Sequence, residues 1–94
     1  MPAAVRKGDP DVFHCSGMVR AEGAKTVFVN GIPWSCQGHV NTLHAGNSCS
    51  PHAMPIAVGS ATVRVEGRGA GREGDYITAC TACAKGSPNV FAGG

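Results

Sequence analysis

The chain has 94 residues, of which 14 are Gly, 6 Pro, 5 Cys and 4 His, and only 15% are charged. Gly at that density opposes helices, at about 1 kcal/mol per interior position, while low charge and frequent Val oppose disorder. The net charge of +2 is spread over eight scattered Lys and Arg, no apolar run approaches a membrane span, and Met1–Arg6 holds no apolar signal segment; this argues against a nucleic-acid stripe, a transmembrane anchor and a Sec leader.

Taken in chain order, the punctuation predicts short strands. Residues 4–8 form the first, ending at Gly8-Asp9. Residues 25–30 follow, closed by Asn30-Gly31, a strong hairpin-turn signal. Residues 34–38 end at Gly38-His39, and 41–58, rich in Asn, Ser, Pro and His, reads as loop. Then come 61–66 with Glu66-Gly67, 70–74 with Gly74-Asp75, and 88–92 at the end. Period-2 alternation puts Val27, Val29, Val63 and Val65 on an inward face and Phe28, Arg64 and Phe91 on the other.

These elements repeat. Sliding 24–40 by 36 positions onto 60–76 aligns Thr26 with Thr62, Val27 with Val63, Val29 with Val65, Gly31 with Gly67 and Gly38 with Gly74. Val5-Arg6-Lys7-Gly8-Asp9 reproduces the end of a unit and Gly86-Ser87-Pro88-Asn89-Val90 the beginning of one. The economical reading is a closed ring of three units, in which the last strand completes what the first residues begin. Closure removes the exposed strand edges that a small β protein must otherwise protect. No linker divides the sequence, so a single domain over 1–94 is expected.

A small core of small side chains needs support beyond apolar burial. An odd cysteine count in a chain without a leader argues against a disulfide framework and toward metal. Five residues past each repeated turn position, Asp9, His39 and Asp75, stand His14, His44 and Cys80. Under threefold pseudo-symmetry these three converge on one point, with His52 available from the following loop. Three imidazoles and one thiolate compose a closed tetrahedral zinc site of structural type. Cys15, His39 and Cys49 are rival donors. A second reading pairs Cys49-x-x-His52 with Cys80-x-x-Cys83, as in zinc-ribbon binding modules. No Gly-x-Ser-x-Gly elbow, P-loop or HExxH helix is present, and Asp9 and Asp75 belong to repeated turns, so no catalytic activity is expected. Arg6 and Arg72 are repeat-equivalent and fit either a surface ion pair or a fork on a carboxylate or carbonyl. Trp34 reads as core in preference to a docking anchor.

Pro2-Ala3-Ala4-Val5-Arg6-Lys7-Gly8-Asp9, Thr26 to Pro33, Pro55 to Val63, Arg72-Glu73-Gly74-Asp75 and Gly86 to Phe91 together resemble the PAAR-repeat proteins. The sequence departs from the family signature at Pro33-Trp34-Ser35-Cys36, where Pro-Ala-Ala-Arg is usual, and at Gly38-His39, where Gly-Asp is usual. The resemblance implies an all-β cone with pseudo-threefold symmetry and an apical Zn2+ held by His14, His44, His52 and Cys80. It implies a non-enzymatic spike tip, monomeric when free, placed one per trimer on a VgrG-like trimeric spike protein of a type VI secretion system, phage tail or related contractile injection machine. Such a tip sharpens the spike for membrane puncture, touches the target membrane transiently, carries an effector in some settings, and binds no nucleic acid. It is made in the cytoplasm and leaves with the spike, secreted or in a virion. No fused toxin is expected at either end. The alternatives are the zinc-ribbon module and an adaptor for a secreted effector.

Overall fold

In a computed structural model the described residues, 1–46 and 49–94, are all β, with no helix among them. Six short strands form three antiparallel hairpins: β1 (Phe28–Val29) with β2 (Ile32–Pro33), β3 (His44–Gly46) with β4 (Cys49–His52), and β5 (Arg64–Val65) with β6 (Arg68–Gly69). The rest of the architecture is built from isolated bridges, and these display the threefold order.

Three extended segments, around residues 4–6, 34–36 and 70–72, close a triangle through Arg6↔Trp34, Cys36↔Ala70 and Ala4↔Arg72. Each corner is reinforced identically: Lys7 N–H donates to Pro33 O, Gln37 N–H to Gly69 O, and Glu73 N–H to Ala3 O, all at 2.8–2.9 Å. Ring closure follows the same rule. Trp34 N–H donates to Val27 O and Ala70 N–H to Val63 O, and Ala4 N–H takes the third equivalent carbonyl, Val90 O, at 2.9 Å. The C-terminal segment therefore completes the unit that the N-terminal residues begin, and Ala3 bridges Phe91.

The two-residue turns are set by local chemistry. Asn30 and Gly31 have φ of 55° and 77°, and Glu66 and Gly67 have 53° and 79°, so both central residues of each turn are left-handed, as a type I′ hairpin requires. Glu66 is the less usual occupant. Its carboxylate accepts from the backbone N–H of Lys25 and Thr26 and from the Thr26 hydroxyl, joining two units.

Inside the ring, Val29 and Val65 are buried with Ala92 in the equivalent third place, and Val27, Val63 and Val90 pack around them. Phe28, Arg64 and Phe91 face outward. Trp34 stands where the other units have Ala4 and Ala70. It is buried, and its indole N–H donates to Gly71 O at 2.9 Å. One large and two small side chains thus fill the axis, which accounts for the Trp in place of a small residue.

A second triangle lies beyond the first. The arms Pro10↔Val19, Val40↔Pro55 and Tyr76↔Ala82 are cross-linked by Arg20↔Asn41, Ile56↔Ile77 and Asp11↔Cys83. One side of this layer is apolar, with Val5, Ile56, Ile77 and Cys83. The other is a fully buried ion pair, Arg20 Nη1 to Asp11 Oδ2 at 2.9 Å. Arg20 also donates to Ser35 Oγ and His39 O. The stretch 41–58, expected as loop, instead holds β3 and β4, the longest pair among the described residues. Its composition carries no β-branched run; the pairing comes from backbone bonds closed across a hairpin, which residue type reports poorly. Asn47 and Ser48 lie outside the described residues. The molecule measures 37 × 23 × 22 Å.

Candidate metal centre

The Gly-Asp turns that space the donors are themselves built structures. In the first, Arg6 N–H donates to Asp9 Oδ2 at 2.8 Å, and the guanidinium forks onto both carboxylate oxygens at 2.8 and 3.0 Å. Arg72 repeats this on Asp75, with its own N–H at 2.7 Å. These ion pairs are part-buried rather than on the surface, and the fork closes inside the turn on a partner three residues away; the remaining guanidinium nitrogen reaches across the ring, from Arg6 Nη1 to Asn30 Oδ1 at 3.1 Å and from Arg72 Nη1 to the Gly93 carbonyl at 3.0 Å. The middle unit has Cys36 and His39 in these places, and Cys36 N–H donates to His39 Nδ1 at 2.9 Å. An imidazole nitrogen therefore replaces the carboxylate oxygen as acceptor. Burial, with Arg68 nearby, lowers the His39 pKa, which favours the neutral ring, whose Nδ1 can accept. His39 is thus used inside its own turn, and the departure from Gly-Asp preserves the turn's hydrogen bond.

Because the turns superimpose in kind, the arms leave them in the same direction. His14, His44 and Cys80 each follow their turn by five residues, and His52 lies directly across the hairpin from His44. Equal arm length carries the first three to one pole, and the antiparallel register delivers the fourth. The donor atoms of His14, His44, His52 and Cys80 all lie within 4.8 Å of one another. The His44 and His52 ring centroids are 4.1 Å apart, and His14 stands 5.6 and 5.3 Å from them.

The inner geometry matches a small tetrahedral ion. Cys80 Sγ lies 3.3 Å from His44 Nε2 and 3.8 Å from His52 Nε2. A tetrahedron with Zn–S near 2.3 Å and Zn–N near 2.05 Å has an S···N edge of about 3.6 Å, between those two values. Both rings are oriented from behind, His44 Nδ1 by Thr42 O at 2.9 Å and His52 Nδ1 by Ser50 O at 2.7 Å. A proton on each Nδ1 donates to these carbonyls and leaves the Nε2 lone pairs toward the shared point, the usual outer support of metal-binding histidines. Asn41 Nδ2 reaches Cys80 Sγ at 3.9 Å, and burial raises the pKa of the Cys80 thiol. Among the described residues the set brings together four donors, enough to fill a tetrahedral ion's coordination.

The remaining cysteines are elsewhere. Cys83 is buried in the second core layer, and burial pushes its thiol up to about 12; it is outside the donor cluster, so the CxxH…CxxC pairing does not assemble. Cys36 is buried beside Trp34. Cys15 and Cys49 are joined as a disulfide, with Cα atoms 6.0 Å apart. The odd count gave no hint of it, because pairing depends on which arms lie adjacent, and those two residues are 34 apart in sequence.

The family model for the PAAR motif matches residues 7–83, a span that takes in all four donors. The chain belongs to the PAAR-motif family. No curated protein sequence matches the chain significantly. PAAR membership supports a spike-tip role in general, in association with a VgrG-type spike complex. The PAAR family is a structural one, not known for catalysis. No helix among the described residues is long and apolar enough to cross a membrane.

Proposed function

We propose that this PAAR chain, a single unit over 1–94, is a non-enzymatic tip that caps a trimeric β-helical spike and is stiffened by Zn2+ held by His14, His44, His52 and Cys80. The observation that carries the reading is the threefold bonding of the ring. One chain repeats the same backbone bonds at three corners, and so can present equivalent contacts to three identical subunits. The outward residues of the repeated hairpins, Phe28, Arg64 and Phe91, supply the base, two apolar and one charged. The ion at the opposite pole joins all three arms. Tip assembly begins in the cytoplasm, and the protein leaves with the spike, secreted or virion-borne.

Two measurements test this. Mixed with its cognate trimer, the chain binds one per trimer, with little dependence on salt because base and spike meet by shape and strand continuation. Three chains per trimer, or a steep salt dependence, refutes the cap. Elemental analysis of purified protein gives one zinc per chain, lost in His44→Ala and kept in Cys83→Ala; the converse pattern restores the zinc-ribbon reading.

A further inference from the structure

The disulfide lies against the metal centre. Cys15 follows His14 directly, and Cys49 is on β4, three residues before His52. The two sulfurs and a nitrogen of His14, a residue shared with the first set, form a second donor group, with all ligand atoms within 4.8 Å. Unlike Cys36 and Cys83, both cysteines are only half-buried, so solutes reach them.

Two further observations show that the approach of these arms is built in. Cys15 has φ of +67°, a left-handed conformation in which glycine is the ordinary choice. Across from it, a Cβ on Gly46 would stand 2.6 Å from the Cys15 carbonyl oxygen. Glycine at 46 therefore lets the first arm close onto the second and brings Cys15 to Cys49.

We propose that Cys15 and Cys49 form a redox-gated site for a soft, low-coordinate metal ion of the Cu+ type, distinct from the His14, His44, His52 and Cys80 set. In the dithiol state the two sulfurs bind the ion, and His14 stays with the zinc set. Thiolate donors select such ions over harder ones, and two or three donors suffice. Binding releases both thiol protons, leaving a Cu+ dithiolate of net charge −1. In the disulfide state the site is closed. Closure is thiol–disulfide exchange with a low-molecular-weight or protein disulfide as oxidant. The first cysteine thiolate attacks it and expels one thiol. The second attacks the resulting mixed disulfide and expels another, so two electrons pass to the oxidant. The same bond staples the 9–20 arm to the 39–56 arm, which between them carry three of the four proposed zinc donors. A reducing compartment thus opens the site and an oxidising one seals it.

The test is anaerobic titration of the zinc-loaded chain with Cu+ against a chromogenic Cu+ chelator, counting zinc and copper per chain. The reduced wild type is expected to take one Cu+ while keeping its zinc. The oxidised wild type, with the Cys15–Cys49 linkage verified by peptide mass spectrometry, and reduced Cys15→Ser/Cys49→Ser are each expected to lose that equivalent. Reduced His44→Ala is expected to lose zinc and keep the Cu+ equivalent, which separates this site from the zinc reading. Equal Cu+ uptake by wild type and the double serine variant overturns the proposal. So does no uptake by the reduced wild type, copper that only replaces zinc, or oxidation that leaves Cys15 and Cys49 unlinked.

Discussion

Arg20→Met tests what the buried ion pair contributes. Methionine keeps most of the stem volume and removes the charge. It leaves Asp11, whose side chain is wholly buried, with no cation; Oδ1 already lacks a hydrogen-bond partner. An orphaned buried charge costs about 3–5 kcal/mol, and the His39 carbonyl that loses its 2.6 Å donor adds about 1 kcal/mol. The carboxylate can escape by taking a proton. From the ordinary Asp value of 3.8, protonation at pH 7 costs about 4.4 kcal/mol, at 1.36 kcal/mol per unit, and at pH 5.5 only about 2.3 kcal/mol. Protonation therefore caps the carboxylate penalty. Burial already raises the Asp11 pKa in the native protein, with Arg20 opposing it. The sign follows: a carboxyl with a raised folded pKa favours folding at low pH and loses that contribution as pH rises. Denaturant unfolding of zinc-saturated protein should give a loss of about 4–5 kcal/mol at pH 7 and about 3 kcal/mol at pH 5.5. Asp11→Leu combined with Arg20→Met should recover most of the loss, since an apolar pair of similar volume replaces a buried ion pair at little cost. A loss below about 1 kcal/mol at pH 7, or one that grows on acidification, refutes the reasoning.

Glycine at the crowded corners is required by space. Gly71→Ala drives a Cβ into the Ser35 carbonyl oxygen, whereas Gly17→Ala meets nothing within 4 Å; thermal melting should fall by about 10 °C or more for the first and move little for the second. His39→Ala removes the acceptor of Cys36 N–H and should cost about 1–2 kcal/mol in urea unfolding, and His39→Asp should restore most of it by rebuilding the turn of the other units. Hydrogen bonds from Thr26 lower the Glu66 pKa below its ordinary 4.5. A carboxyl with a depressed folded pKa stabilises above its unfolded pKa and loses that contribution as pH falls through the folded one, so acid unfolding of Glu66→Gln should lack this component; a carboxyl 13C titration placing Glu66 at or above 4.5 contradicts it. Stripping metal with a strong chelator should lower the melting temperature and loosen the apex first, seen as faster amide exchange at residues 14, 44, 52 and 80. An unchanged melting curve in protein verified to be metal-free removes zinc from the account of stability, since zinc binding in finger peptides is worth about 10–16 kcal/mol.

The sequence by itself determined the features that depend on a few adjacent residues and on their recurrence. Asn30-Gly31 and Glu66-Gly67 announce turns because positive φ is a local steric demand. The constant five-residue step from turn to donor makes His14, His44 and Cys80 equivalent before any coordinates exist, and the half-units at the ends announce ring closure. Tertiary structure alone decided what depends on which segments become neighbours. It set the Cys15–Cys49 bond between two arms, the Asp11–Arg20 pair across the two limbs of one arm, the use of His39 as an acceptor in its own turn, and the β3–β4 ladder in a segment whose residue types read as loop. Those outcomes are fixed by distances of a few ångströms between segments that are apart in sequence. Such distances follow from the closed triangle and from glycines such as Gly46 that let backbones touch, and spacing along the chain does not encode them.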